Sequence, residues 1–270
     1  MDIRFHFLGE ETCGWSFWRP LGRCRPTCPM KAIALIVTLA LGLLLVACAT
    51  TTTPAGQTAI PLPSPPVGPL SEQVVRIPLR LPGMLGETQL LLEATLYRPE
   101  GPGPFPLVVI SHGSPRDPAR RQRVERFRFE AQSRAFLTRG FAVVIPMRRG
   151  YGGSEGAFAE DIGRCKDADF LTAGLESAKD VLAAVRFMQA QPFVDAQRVL
   201  LVGVSAGGFA SLALASQGVE GLVGVINFAG GRGSRAARQN CWPERLVQER
   251  GRFGRTTRVP TLWIYAENDS

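Results

Sequence analysis

Residues Val199–Gly208 read V-L-L-V-G-V-S-A-G-G. An apolar run of strand composition leads straight into Gly203-Val204-Ser205-Ala206-Gly207, and a helical pattern opens at Phe209. A strand that turns sharply into a helix through G-x-S-x-G forces strained backbone angles on its serine, so the neighbours must be small. Gly203, Ala206, Gly207 and Gly208 meet that demand. The turn lifts the Ser205 hydroxyl out of the sheet and leaves the Ala206 amide free to face an oxyanion. Ser205 is therefore the candidate nucleophile.

Outward from this elbow the pattern alternates. Val74–Leu81 and Gln89–Tyr97 read as antiparallel strands joined at Pro82-Gly83. Leu107–Ser111 and Phe141–Met147 read as buried strands. Between them, Val124, Phe127, Ala131 and Ala135 fall at helical spacing and predict one amphipathic helix over Arg120–Thr138, ended by Gly140. Arg148–Ala157 is a Gly-rich loop. Leu175–Gln189 is a second helix, Phe209–Ser216 follows the elbow, and Leu222–Phe228 and Val259–Tyr265 are further strands. Strands alternating with helices imply a parallel sheet covered on both faces. The stretch Gly230–Arg258, rich in Arg and Gly, breaks the alternation as a surface insertion or lid.

The 270 residues carry a net charge of +8, and 45% hydrophobic content suffices for one large core. Lysine is confined to Lys31, Lys166 and Lys179, so the positive charge is nearly all arginine. The arginines of Arg116–Arg139 and Arg232–Arg258 are interleaved with acids and lack aromatics placed for base stacking, which argues against nucleic-acid binding.

The head of the chain carries a different signal. Met30-Lys31, the apolar run from Ala32 and the small residues before Cys48 make a secretory signal over 30–48. Leu45-Val46-Ala47-Cys48 resembles the bacterial lipobox, which implies lipidation of Cys48. Residues 1–29 show no clear periodicity and read as a mis-annotated leader, with the true start at Met30. Residues 49–70 are rich in Thr and Pro and read as a tether. A domain over 71–270 would then sit on the periplasmic side of the cell envelope, held to the outer membrane by lipid. In that oxidising compartment Cys165 and Cys241 are expected to form a disulfide. Cys13, Cys24 and Cys28 lack a fourth ligand, so no metal is expected. No motif suggests a cofactor.

Taken together, Ser111-His112-Gly113-Ser114, Arg149-Gly150-Tyr151-Gly152-Gly153-Ser154, the Ser205 elbow and Tyr265-Ala266-Glu267-Asn268-Asp269 resemble the α/β-hydrolases, over about Val74 to Ser270. Within them the resemblance is to the dienelactone-hydrolase-like and prolyl-oligopeptidase-like branches. It implies an α/β fold with a mostly parallel, doubly wound sheet and oxyanion amides at Ala206 and Ser114, with Gly113 the other candidate for the second. It also implies a triad acid at Asp269, with Glu267 as runner-up. Dienelactone hydrolases proper use a cysteine nucleophile. Ser205 therefore points to a general carboxylic ester as the small-molecule substrate, hydrolysed through an acyl-enzyme. A serine peptidase of prolyl-oligopeptidase type is the alternative, and a non-catalytic binding lipoprotein a third reading.

The family places its base last in the chain, and the histidines here are His6 and His112. The expectation is that the chain is C-terminally incomplete, ending before its last strand, last helix and catalytic histidine, with impaired catalysis and an exposed sheet edge. His112 is expected to brace its loop rather than act as base.

Overall fold

The computed structural model describes residues 3–7, 65–83, 86–236 and 239–266, the first of these by backbone alone. The signal segment 30–48 with Cys48, most of the tether, Glu267 and Asp269 lie outside the described residues.

Strands β1 (Ile3–Phe7), β2 (Gln73–Gly83), β3 (Gly86–Tyr97), β4 (Phe105–Ser111), β5 (Ala142–Pro146), β6 (Val194–Val204), β7 (Leu222–Phe228) and β10 (Thr261–Ala266) form one sheet. A separate small hairpin pairs β8 (Ser234–Ala236) with β9 (Gln239–Asn240). The large sheet runs β1-β10-β7-β6-β4-β5-β3-β2. Its centre, from β5 through β4, β6 and β7 to β10, is parallel, and β2 and β3 join antiparallel at one side. The far edge of β10, expected to be open, is paired antiparallel with β1.

Helices α2 (Phe170–Gln189), α3 (Ala206–Ala215) and α4 (Pro243–Thr256) share one hydrophobic core with the sheet. α1 (Glu130–Leu137) contributes Phe136 and Leu137 to the cluster built on Val108, Ile110, Val143 and Ile145. Consecutive residues of β4 and β5 thus face opposite clusters, which is why both read as unbroken apolar runs. α3 follows the same logic: every one of its residues is buried, so its sequence shows no polar face.

Two local readings are corrected. The helix expected over Arg120–Thr138 is a short 3-10 turn at Pro118–Arg123, an extended segment, and then α1 alone. Phe129 enters the left-handed region at φ 44° and breaks the helix. The extended segment is held by long-range partners: Thr95 Oγ1 donates to Phe127 O at 2.7 Å, Arg126 and Arg128 both pair with Glu72, and Phe127 stacks on His112 at 4.8 Å. Pro82-Gly83 lies inside the β2–β3 ladder, where Pro82 pairs with Glu87 and Gly83 with Gly86, and so belongs to the strand pairing. α2 also starts earlier than its apolar spacing predicts, because the Asp169 side chain caps it by accepting from Thr172 N at 2.9 Å.

Candidate active site

Ser205 stands between β6 and α3 with φ 53° and ψ −121°, a strained conformation for a residue with a Cβ. Three backbone hydrogen bonds hold it there. Its amide donates to Phe228 O at 3.0 Å, and its carbonyl accepts from Phe209 N at 3.1 Å and from Gly231 N at 3.0 Å. The Ser205 side chain does not cap α3, and among the described residues no side chain accepts a hydrogen bond from its hydroxyl.

The motif glycines are demanded by contact. A Cβ on Gly203 would lie 2.4 Å from Gly207 O, and one on Gly207 would lie 2.0 Å from Ser111 O. β4, β6 and α3 can therefore meet at this corner only through bare backbone. The same closeness brings the loop after β4 against the nucleophile: a Cβ on Gly113 would sit 3.4 Å from Ser205 Cβ. Ala206 begins α3, where unpaired amides and the helix dipole favour negative charge.

His112 is completely buried and faces away from catalysis. Its Nε2 accepts from Arg148 N at 3.1 Å, which leaves the proton on Nδ1 to donate to Gly113 O at 2.6 Å. Burial, reinforced by the Arg148 charge, depresses its pKa to about 3. With both ring nitrogens committed, His112 clamps the Gly113-Ser114 loop and is not available to take the Ser205 proton.

Behind that loop lies an ion cluster that sequence reading did not find. Arg148, fully buried, pairs through Nε with Glu160 and donates from Nη1 to His112 O at 2.7 Å and Ser111 Oγ at 3.0 Å. Arg232 reaches Glu160 Oε2 at 2.8 Å from the other side. Burial works to raise the Glu160 pKa, but the two guanidinium groups override it and hold it at about 2. The Tyr151 hydroxyl bridges Ser114 Oγ at 2.8 Å and Glu160 Oε2 at 3.2 Å, so it couples this cluster to the expected oxyanion loop. Arg149 ties the next residue down: its amide and Nε both donate to Asp180 at 2.7 Å. The sequence marks these residues only as a Gly-rich loop and a lone Glu, because their partners are far away along the chain.

Ser205, Ala206 and Ser114 line one cavity of about 610 Å³. The insertion expected in Gly230–Arg258 supplies another wall, through Arg232 and through Leu246 and Arg250 of α4. Cys165 and Cys241 are joined as a disulfide, tying the loop that carries Glu160 to the start of α4. Asp269, the expected acid, lies outside the described residues, four positions along the chain from Tyr265, whose hydroxyl donates to Gly230 O at 2.7 Å. Among the described residues no cluster of His, Cys, Asp or Glu could hold a metal ion, and no helix is long and apolar enough to cross a membrane.

A parallel sheet crossed by helices, with a strained serine at a strand-to-helix turn, defines an α/β-hydrolase. The model of the X-Pro dipeptidyl-peptidase (S15) family matches residues 88–269, and the chain belongs to that family. Solved structures similar to it include DcsB in complex with a substrate analogue, at 20% identity, with 68% of this chain and 54% of that one covered and a TM-score of 0.45. The α/β-hydrolase GrgF from Penicillium sp. sh18 matches at 20% identity, covering 67% and 54%, with a TM-score of 0.42. Acetyl xylan esterase 1 from Thermoanaerobacterium sp. JW/SL YS485 matches at 21% identity, covering 66% and 56%, with a TM-score of 0.41. The chain spans about half the length of these three. The comparison with curated proteins returns no match.

Proposed function

We propose that this member of a serine-hydrolase family cleaves carboxylic esters through an acyl-enzyme on Ser205. The observation that carries the reading is the strained Ser205 at the floor of the cavity, with its hydroxyl clear of the helix cap and the Gly113 loop packed against it. In this reading Ser205 Oγ attacks the ester carbonyl carbon, and its proton passes to a base outside the described residues. The Ala206 and Ser114 amides stabilise the oxyanion, collapse expels the alcohol, and water then releases the acid. Asp269 would orient that base.

A dipeptidyl-peptidase reading follows from the family's description. Removing a dipeptide from a free N-terminus requires a group that holds an ammonium. Of the described acids lining the cavity, Glu160 is committed to two guanidinium groups, and Asp161 is exposed and accepts from Gly163 N at 3.0 Å. That favours the ester. The test compares 4-nitrophenyl acetate with Gly-Pro-4-nitroanilide. A higher kcat/KM on the ester, abolished in S205A, is expected; preference for the anilide would overturn the reading. We further propose that Cys48 carries a lipid anchor to the cell envelope, which metabolic labelling with a palmitate analogue would detect and C48A would remove.

A further inference from the structure

The cavity beside Ser205 is walled by arginines, of which Arg121 and Arg250 have no acidic partner among the described residues. Arg250, on α4, forms no hydrogen bond or ion pair among the described residues, although its Nε is shielded from solvent. Its neighbours on the helix differ: Arg245 and Arg252 both pair with Glu249. Aromatic contact helps to hold Arg250, whose Cζ lies 5.7 Å from the Tyr265 ring centroid. A bare backbone also makes room for it: a Cβ on Gly231 would fall 2.3 Å from Arg250 Nη2. Gly231 is the residue whose amide donates to Ser205 O. The guanidinium is thus seated one residue away from the nucleophile's backbone.

Three further cations line the same space: Arg116, which donates from Nε to Ser234 Oγ at 3.2 Å, Arg121 and Arg232. Arg121 Cζ lies over the Phe158 ring, 3.7 Å from its centroid, and the Arg121 Nε too is buried without a partner. Arg232 shares the single carboxylate of Glu160 with Arg148, which leaves that buried cluster with an excess positive charge, and Arg232 Nε is a third unpaired donor. Shielded guanidinium donors without partners are costly unless something else meets them, and a planar carboxylate matches their geometry.

We infer that the site takes esters that carry a carboxylate, and that Arg250 is the specificity residue that binds it, within the positive field of Arg121 and Arg232. The inference rests on the reading of Ser205 as an ester-cleaving nucleophile for its kinetic test, but not for its binding test.

The binding test titrates monomethyl glutarate and dimethyl glutarate into the S205A protein by calorimetry at low salt. The monoester should bind about tenfold or more tightly than the diester, as a charge-assisted contact implies. Arg250→Gln should abolish that difference, and Arg252→Gln, on the same helix but paired with Glu249, should keep it. Equal binding of the two esters, or a preference that survives R250Q, would overturn the inference. The kinetic test uses mono-4-nitrophenyl glutarate against 4-nitrophenyl butyrate. The ratio of their kcat/KM values should favour the glutarate about tenfold and fall towards one in R250Q, chiefly through KM. If neither ester is cleaved but the glutarate preference in binding holds, the ester-hydrolase reading fails and the anion site stands.

Discussion

His112 Nε2 accepts the Arg148 amide at 3.1 Å, and this one contact assigns the tautomer and the role of the ring. A buried, neutral histidine with a pKa near 3 binds a proton less readily than the unfolded chain does, whose imidazole titrates at its ordinary value of 6.5. The unfolded state therefore takes up the proton first as pH falls. The stability advantage of the native protein over H112Q should be constant above about pH 7 and shrink progressively from pH 6.5 towards pH 3. Chemical denaturation of both proteins across that window measures it. A pH-independent difference would mean that the ring is not held neutral.

Tyr151 is argued to act through Ser114. Y151F removes the bridge between Ser114 and the Glu160 cluster while keeping the ring that packs edge-on against His112 at 4.7 Å. Turnover of 4-nitrophenyl acetate should lose about tenfold in kcat with little change in KM, as expected for an oxyanion loop set slightly wrong. An unchanged kcat would leave Tyr151 a packing residue only.

Gly207 has no room for a methyl group, since the added carbon would meet Ser111 O at 2.0 Å. G207A should destabilise the fold by about 3 kcal/mol or more, because relief requires β4 and α3 to separate. Thermal unfolding of G207A beside A206G provides the comparison, since only the first adds volume.

The Cys165–Cys241 bridge closes a long loop, with a sequence separation of 76 residues. Chain-entropy arguments assign such a crosslink about 4 kcal/mol. The C165A/C241A double variant should unfold at correspondingly lower denaturant. Non-reducing peptide mapping should recover the two segments as one crosslinked species. Separate recovery of the two peptides without reductant would contradict the bridge.

The elbow was legible because its constraint is local: strand, small residues and serine follow one another along the chain. The parallel strands were legible for a related reason, since burial on both faces leaves unbroken apolar runs such as Leu107–Ile110 and Ala142–Ile145. Pairing Cys165 with Cys241 rested on the expected oxidising compartment and on the two cysteines left if the chain matures at Cys48. The helix expected over Arg120–Thr138 was misread because Val124 and Phe127 fall at helical spacing while serving other partners; Phe127 is taken by His112 and Thr95. The Arg148–Glu160–Arg232 cluster was illegible for the same physical reason. Its members are ordinary charged residues until the fold brings Arg232 to Glu160, 72 positions away. Asp269 lies outside the described residues and remains an expectation drawn from family resemblance.

The central claim is that Ser205 is an activated nucleophile, and a fluorophosphonate probe tests it most directly. After incubation with a form of the protein that carries the family's C-terminal histidine, digestion and mass spectrometry should find the phosphonyl group on the peptide that carries Ser205, and S205A should take up none. Labelling confined to other serines, or equal labelling of S205A, would contradict the account.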